Sequence, residues 1–411
     1  MNQNILIGPF AQLLPMSGLP LKGPLKDSQL PIIYSGGILV SEGKIAKTGT
    51  FEDLKTEANQ IHKIDGEQVC LPGFVDSHTH ICFGGTRARD YALRNAGVSY
   101  LEIAKSGGGI WDTVTQTRKA SQSELEAGIK ERAQIHLQNG TTTIEVKSGY
   151  GLSVHEEIKM LRAIQNANKQ LEIDLIPTCL AAHMKPKDWK GDSSYLDEII
   201  PKLFPILKSE NLANRVDAFV EESAFAPSEV ESYFQEAQKF GFDITVHADQ
   251  FNPGGSNVAV KFNAISADHL EASTEEEISL LAQSDVIATA LPGASLGLGC
   301  EFTPARKLLD AGGALAIASD HNPGSAPMGD LLTQASILGA FEKLSNAEVL
   351  GGITFRASAA LNLKDRGVLS PDYIADLVTF RTNDYREITY HQGQLKPSSV
   401  WKKGQLVFES K

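Results

Sequence analysis

The chain has 411 residues, of which 42% are hydrophobic and 21% charged, and its formal net charge is −12. This length suits one α/β barrel of about 250 residues with a smaller accessory module. The net negative charge and the lack of Lys or Arg blocks argue against a nucleic-acid surface. The sequence contains no uninterrupted apolar run of about 18 residues, so we expect no membrane span. No basic and apolar secretion signal opens the chain, so the sequence predicts a cytoplasmic protein.

The four cysteines lie far apart in the sequence and form no Cys-x-x-Cys pair. This spacing argues against a zinc knuckle and against a disulfide framework. We therefore expect reduced, mostly buried thiols.

Both ends of the chain carry short alternating strands punctuated by glycine, as in residues 37–46 and 400–407. Alternation of this kind is typical of antiparallel strands joined by tight turns. We expect residues 1–68 and 366–411 to pair into one small β-sandwich domain built from both chain termini.

Between these ends, residues 69–365 alternate short apolar runs with longer helical patterns. The eight runs are 69–76, 141–146, 173–180, 216–220, 243–246, 264–267, 286–290 and 314–319. Eight successive βα units predict an α/β fold, a (β/α)8 TIM barrel. The helix boundaries agree with this, because Ser121 and Glu124 can form a capping box and Asn139-Gly140 supplies a stop. A helix is likewise expected to begin around Ser273.

His78 and His80 follow the first of these strands, in the segment Pro72-Gly-Phe-Val-Asp-Ser-His-Thr-His80. Residues i and i+2 of a strand point to the same side, so both imidazoles can reach one metal ion. An isolated pair of this kind is more often a pair of solvated or hydrogen-bonded histidines. The other strand ends decide between these readings.

Active sites of barrels are assembled from the C-terminal ends of the strands. Six of the ten histidines lie at or just beyond the predicted strand ends, which favours a metal or catalytic site there. The polar residues after the later strands are Glu145 and Tyr150, His183, Glu221 and Glu222, His247 and Gln250, Asp268 and His269, and Asp320, His321 and Asn322. The remaining histidines, for which we expect surface or structural roles, are His62, His136, His155 and His391.

The Pro-Gly-Phe-Val-Asp-Ser-His-Thr-His segment, single histidines on strands five and six and Ser319-Asp320 on strand eight resemble the metal-dependent amidohydrolase superfamily. The resemblance covers nearly the whole chain. It implies one zinc or iron ion per subunit, held by His78, His80, His247 and Asp320, with a position left open for water. Lys147 is an alternative ligand that would bridge a second metal ion.

Further motifs, at residues 80–87, 106–110, 145–151 and 319–325, are similar to those of superfamily members that open a cyclic amide whose ring carries a propionate tail. Such a small-molecule substrate needs a cation that the acidic chain otherwise lacks, and Arg87 suits bidentate pairing with a carboxylate. Arg89 is a neighbour that could substitute. The resemblance implies that the residues around substrate and product are Arg87, Tyr150, His183, Gln250, Asn322, Gly324 and Ser325.

The resemblance also implies catalytic roles for Asp320, His269 and Gln250. Asp320 would accept a proton from the attacking water and pass it to the leaving nitrogen, while His269 would stabilise the oxyanion or, alternatively, only orient a ligand. For Tyr150 and His183, core packing with a satisfied hydrogen bond is the alternative. The glycine cluster at residues 106–109 matches no phosphate-binding motif and predicts a mobile loop near the site.

Two other functions remain open on the sequence alone. The first is deamination of a cytosine-like or guanine-like ring, since barrel and metal ligands do not fix the substrate. The second is a barrel that binds a metal or partner without catalysis, against which the retained Asp320 argues. A homodimer is expected from the resemblance only.

Overall fold

Two eight-stranded sheets organise the residues that the computed structural model describes, which are 4–98, 102–103, 106–191 and 194–410. The first five strands are β1 (Ile5–Leu13), β2 (Ile33–Ser41), β3 (Lys44–Thr50), β4 (Gln60–Lys63) and β5 (Val69–Pro72). The next eight are β6 (Phe74–Asp76), β7 (Thr141–Lys147), β8 (Asp174–Ala182), β9 (Arg215–Phe219), β10 (Asp243–Ala248), β11 (Ser266–His269), β12 (Ile287–Ala290) and β13 (Leu315–Ile317). The last three are β14 (Leu377–Phe380), β15 (Ser399–Lys402) and β16 (Gln405–Glu409).

Helices connect most of these strands. In the first half of the chain they are α1 (Phe51–Leu54), α2 (Ala88–Asn95), α3 (Ile110–Lys119), α4 (Gln122–Gln138), α5 (Val154–Asn168) and α6 (Tyr195–Ser209). In the second half they are α7 (Glu231–Lys239), α8 (Gly255–Lys261), α9 (Glu275–Gln283), α10 (Pro292–Leu298), α11 (Ala305–Asp310), α12 (Leu331–Glu342), α13 (Asn346–Gly352), α14 (Phe355–Ala360) and α15 (Arg386–Tyr390). Short 3-10 turns lie at Asp27–Gln29, Lys55–Glu57 and Pro227–Glu229.

Strands β6 to β13 form a parallel barrel in chain order, with helices between successive strands. The first and last strands meet at the carboxyl end, where the Asp320 amide donates to the His78 carbonyl at 3.0 Å. The His80 amide in turn donates to the His321 carbonyl at 2.9 Å. The predicted (β/α)8 architecture is confirmed, and its seam lies at the predicted metal ligands.

The first predicted strand, residues 69–76, is two strands in two different sheets. Strand β5 pairs antiparallel with β14 of the terminal sheet, whereas β6 pairs with β7 of the barrel. Gly73 lies between the two strands. Only glycine fits there, because a Cβ would lie 2.4 Å from Thr142 Oγ1. An unbroken apolar run hides this change of sheet. The other seven runs lie on barrel strands, with ends shifted by a few residues.

Strands from both chain ends form the second sheet, in the order β16-β15-β14-β5-β1-β2-β3, with β4 beside β1. Its own apolar core includes Ile7, Phe10, Ile38, Leu377 and Trp401. The expected β unit from both termini is therefore confirmed as one continuous hydrogen-bonded sheet. The division into folding units at residues 68 and 366 stays a prediction.

The helical layer follows the predicted boundaries. Ser121 caps α4 and Glu124 completes the capping box. The face of α4 formed by Leu125, Ile129 and Leu137 is buried against the barrel core. Thr274, one residue after the expected start, caps α9 through the amide of Glu276. Among the described residues, no helix is both long and apolar enough to span a bilayer.

Candidate active site

Four side-chain atoms converge at the carboxyl end of the barrel. His78 Nε2 and His247 Nε2 each lie 3.3 Å from His80 Nε2, and Asp320 Oδ1 lies 3.4 Å from His80 Nε2 and 3.6 Å from His78 Nε2. Ligands about 2.0–2.1 Å from a tetrahedral zinc lie about 3.3–3.4 Å from one another. We call these four residues the metal-site cluster, and their donor atoms fit one metal ion.

The other ring nitrogens of two of these histidines face carboxylates. His78 Nδ1 lies 2.7 Å from Asp268 Oδ2, and His247 Nδ1 lies 2.9 Å from Asp217 Oδ2. A proton on each Nδ1 leaves the Nε2 lone pair free for a metal, and such carboxylates typically orient metal-binding histidines. Burial, with a contribution from the Lys147 ammonium, lowers the pKa of His78 well below its ordinary value, so the imidazole is neutral.

Lys147 lies beneath the metal-site cluster and is fully buried. Its ammonium is 2.7 Å from Glu145 Oε1 and 2.9 Å from Asp217 Oδ2. Burial acts to lower the pKa of Lys147, but the two carboxylates outweigh it and hold that pKa above its ordinary value. A lysine committed to two ion pairs is unsuited to bridge a second metal ion, which argues against the alternative ligand.

Asp320 is held by the loop that follows β13. It adopts a left-handed φ of +51°, and its Oδ2 accepts from Asn322 Nδ2 at 2.9 Å. Asn322 Oδ1 accepts from the amides of Gly324 and Ser325, both at 2.8 Å. Burial raises the pKa of Asp320 to about 6, against the opposing effect of His269. The loop thus fixes one carboxylate oxygen and leaves Oδ1 facing the histidines.

His269 ends β11 beside the cluster, with its ring centroid 5.3 Å from that of His247. Its Nδ1 lies 3.4 Å from Glu271 Oε1, and its backbone φ is +87°. Burial acts to lower the pKa of His269, but Glu271 and Asp320 outweigh it and the pKa is raised. The imidazole is therefore suited to donate a hydrogen bond from Nε2.

Tyr150 and His183 form one wall of the site. The His183 ring stacks on His80 with centroids 5.4 Å apart, and its Nδ1 lies 3.0 Å from the Gly149 carbonyl oxygen. The Tyr150 ring centroid is 5.3 Å from that of His183. Glu157 of α5 shapes this wall, because its carboxylate accepts from the amides of Gly149, Gly151 and Leu152 at 2.7–2.9 Å.

Arg87 is the N-cap residue of α2 and is buried. Its Nε donates to Asp90 Oδ2 at 2.7 Å, and its Nη1 would lie 2.7 Å from a Cβ on Gly324. Arg89 is exposed, so the expected substitute for Arg87 does not share its environment. The second cation near Gly324 is Arg94, whose Nη2 donates to the Gly324 carbonyl at 3.3 Å.

Gln250 is half-buried in the loop after β10. The backbone turns there at Asp249, whose φ is +51°. Glu221 accepts from the amide of Phe251 at 2.9 Å and from Asn252 Nδ2 at 2.7 Å. Glu221 at the end of strand four therefore supports the Gln250 loop, whereas Glu222 is exposed.

Several residues of the site were missed by sequence reasoning. They are Asp217, Glu271, Glu157 and Asp90, whereas Asp268 was placed at a strand end without its role as the partner of His78. Asp217 carried a usable signal, because a carboxylate in the middle of a buried strand requires a charged or hydrogen-bonding partner. Of the other histidines, His155 and His391 are exposed and His62 packs on Trp401. His136 is buried, with Nε2 2.9 Å from His321 Nδ1.

Fold and site together define a metal-dependent hydrolase of the barrel type. The amidohydrolase family model matches residues 69–407, and the chain belongs to that family. Among curated relatives, the imidazolonepropionase of Bacillus cytotoxicus is 38% identical over 98% of this chain and 97% of its own. That of Bacillus mycoides is 39% identical over 92% and 90%.

Solved structures share the fold at low identity. A zinc-bound mutant of the atrazine chlorohydrolase TrzN from Arthrobacter aurescens has a TM-score of 0.73 at 17% identity, covering 98% of this chain and 95% of that one. A zinc-bound adenosine deaminase from Xanthomonas campestris has a TM-score of 0.73 at 18% identity, covering 98% and 92%. These likenesses support the barrel architecture alone.

Proposed function

We propose that this chain is an imidazolonepropionase, which hydrolyses the ring amide of 4-imidazolone-5-propanoate to N-formimidoyl-L-glutamate in histidine degradation. The observation that carries the proposal is the placement of a buried cation, Arg87, against Gly324 in the loop that also holds Asp320. In a chain of net charge −12, such a cation suits a substrate carboxylate. The two relatives of that name, at 38% and 39% identity, support it.

Substrate binding is assigned to the residues around the metal-site cluster. Arg87 binds the propionate carboxylate, and Tyr150 and His183 form the wall against which the ring lies. The polar groups that read the ring and the product carboxylate are those of Gln250, Asn322, Gly324 and Ser325. These roles follow from position and hydrogen-bonding capacity.

His78, His80, His247 and Asp320 would hold one zinc or iron ion. Such an ion, when bound, supplies a water molecule that is nucleophilic at neutral pH and polarises the ring carbonyl. Three imidazoles and one carboxylate are ligand types that suit either metal. A homodimer and a cytoplasmic location are further parts of the proposal.

Two residues move or hold protons in the proposed reaction, and a third positions the ring. Asp320 accepts the proton of the attacking water and then delivers it to the departing ring nitrogen. His269, oriented by Glu271, donates from Nε2 to the carbonyl oxygen as negative charge develops there. Gln250 positions the ring through its amide. Cleavage of the bond between carbonyl carbon and ring nitrogen turns that carbon into the product's α-carboxylate.

The test is the ultraviolet absorbance of freshly generated imidazolonepropionate mixed with the purified protein, before and after a chelator strips the metal. We expect rapid loss that disappears on stripping and returns with zinc or iron, with N-formimidoyl-glutamate as the product. Loss no faster than the spontaneous rate with metal-loaded, folded protein would refute the proposal.

Ring deamination is the rival within the same family, and Arg87 separates the two. Arg87→Ala should raise KM for imidazolonepropionate by about 100-fold, since an unpaired substrate carboxylate loses a charged partner. The exposed neighbour variant Arg89→Ala is the matched control and should leave KM unchanged. An unchanged KM in Arg87→Ala would favour a substrate without a carboxylate.

A further inference from the structure

We propose that Asp90 is a positioning residue that presents Arg87 to the substrate carboxylate and ties it to the glycine cluster at residues 106–109. The inference rests on the proposed function. Asp90 lies in the first turn of α2 and is 5% exposed. Its Oδ2 accepts from Arg87 Nε at 2.7 Å and from the Gly109 amide at 2.8 Å. One buried carboxylate oxygen thus joins the cation to the loop.

Because the guanidinium is planar, the contact with Asp90 determines which edge of Arg87 faces a ligand. Arginine presents five N–H donors in a rigid plane, and the edge formed by Nη1 and Nη2 suits a second carboxylate. Asp90 engages Nε, and it is the one hydrogen-bond acceptor of Arg87 among the described residues. Nη1 lies on the side of Gly324. Asp90 therefore fixes the plane of the guanidinium while leaving the Nη edge for a ligand.

Asp90 also accounts for the glycine cluster that follows α2. A Cβ on Gly108 would lie 2.4 Å from Asp90 Oδ1, so a larger residue there would displace the carboxylate. Gly109 has a φ of +78° and caps α3, which places the Asp90 carboxylate at the positive end of that helix. The glycines at 108 and 109 are thus explained by the Asp90 carboxylate, without a bound phosphate.

The net charge near Gly324 stays positive although Asp90 neutralises Arg87. The charges of Arg87 and Asp90 cancel. Arg94, on the same face of α2 as Arg87, adds a second positive charge, and it donates to the Gly324 carbonyl. Arg94 Nε is buried and has no hydrogen-bond partner among the described residues. Two cations around one carboxylate leave a net positive charge in an acidic protein, which favours an anionic ligand group.

The test is a double-mutant cycle on the metal-loaded enzyme. Asp90→Ala should raise KM for imidazolonepropionate by about tenfold with kcat nearly unchanged, because the cation loses its orientation. In the Arg87→Ala background the same change should have no further effect, since Asp90 acts through Arg87. An imidazolone with an ethyl group in place of the propionate should be turned over equally with or without Asp90. The matched control is Asp188→Ala, which removes the 2.6 Å partner of Arg118 at the surface and should leave KM unchanged.

A second variant and a chemical modification test the contact between Asp90 and Arg87 in other ways. Gly108→Ala should reproduce the KM effect of Asp90→Ala, because its Cβ displaces the same carboxylate. The rate at which phenylglyoxal modifies Arg87, followed by peptide mass mapping, should rise in Asp90→Ala, and this readout needs no substrate.

The outcomes separate the two proposals. Absence of turnover in the wild-type protein refutes the proposed function, and the phenylglyoxal rate then still tests the contact between Asp90 and Arg87. A full tenfold effect of Asp90→Ala in the Arg87→Ala background overturns the inference. So does an equal loss with the ethyl analogue, or an unchanged modification rate of Arg87.

Discussion

Buried charges gather at both ends of the barrel, but they are arranged in opposite ways. At the amino end, which we call the base cluster, Asp174, Arg366, Asp376 and Lys402 join the terminal sheet to the barrel. Lys402 donates to Asp174 Oδ2 at 2.8 Å and Arg366 donates to the same oxygen at 2.7 Å. Every charge there faces its opposite within the protein.

At the carboxyl end, the metal-site cluster brings four electron-pair donors together around His80, whose Nε2 lies 3.3–3.4 Å from the donor atoms of His78, His247 and Asp320. The neutral imidazoles and Asp320 face that point, while the nearest buried ammonium, Lys147, is committed to Glu145 and Asp217. Burial of charge alone therefore does not mark a functional site. Convergence of donors on a point where the described residues supply no cation does.

The largest effect is expected from removing one side chain of the metal-site cluster. His80→Ala should lose the bound metal and reduce turnover to the spontaneous rate, because His80 is within 3.4 Å of all three other donors. Metal content after dialysis and the absorbance assay would show this. His155→Ala changes an exposed histidine and should retain both properties. One equivalent of metal with full turnover in His80→Ala would contradict the assignment.

The base cluster should affect stability and not chemistry. Lys402→Met should lower the free energy of unfolding by about 3 kcal/mol, because it leaves the buried Asp376 carboxylate without its cation and Asp174 with Arg366 alone. Urea unfolding measures the loss, and kcat of the folded variant should match that of the wild type. Lys396→Met removes a half-exposed partner of Asp330 and should cost no more than about 1 kcal/mol. A comparable loss in both variants would mean that the base cluster is no more than a surface pair.

Asp217 forms an ion pair with Lys147 and also contacts His247, a proposed metal ligand. Asp217→Asn should weaken metal affinity by about 10–100-fold, since His247 Nδ1 loses its charged acceptor. Competition with a chromogenic chelator measures this affinity. The exposed carboxylate of Asp310, paired with Arg306, provides the control variant Asp310→Asn. Unaltered metal affinity in Asp217→Asn would assign Asp217 to the Lys147 ion pair alone.

The smallest expected effect is the pH dependence of the base cluster. Burial acts to raise the pKa of Asp174, but Lys402 and Arg366 outweigh it and the folded-state pKa is lowered. The stabilisation is therefore complete above the unfolded-state pKa of about 3.9 and is lost as pH falls through the folded value. Unfolding free energy measured from pH 6 downwards should fall less steeply in Asp174→Asn than in the wild type. Identical slopes would contradict this contribution.

The sequence predicted the barrel, and it predicted that the residues after its strands lie together, because the strand ends of a parallel barrel share one rim. His78, His80, His247 and Asp320 do lie together. Their choice as a ligand set came from the family resemblance, and their binding of a metal stays a prediction. Contacts that cross strands escaped, since the pairing of Asp217 with His247 and of Asp268 with His78 appears only when β9, β10, β11 and the first barrel strand are placed side by side. The change of sheet at Gly73 escaped for a different reason. It depends on the close approach of Thr142, which no periodicity records.

The seam that closes the barrel joins residues far apart along the chain. His78 and His80 precede the second barrel strand, whereas Asp320 follows the eighth, and the amide of Asp320 bonds to the carbonyl of His78. During synthesis, the full set of metal donors therefore cannot exist until the last barrel strand has left the ribosome and docked. With His78, His80, His247 and Asp320 as the proposed ligands, metal loading is a late event that follows synthesis of the eighth barrel strand.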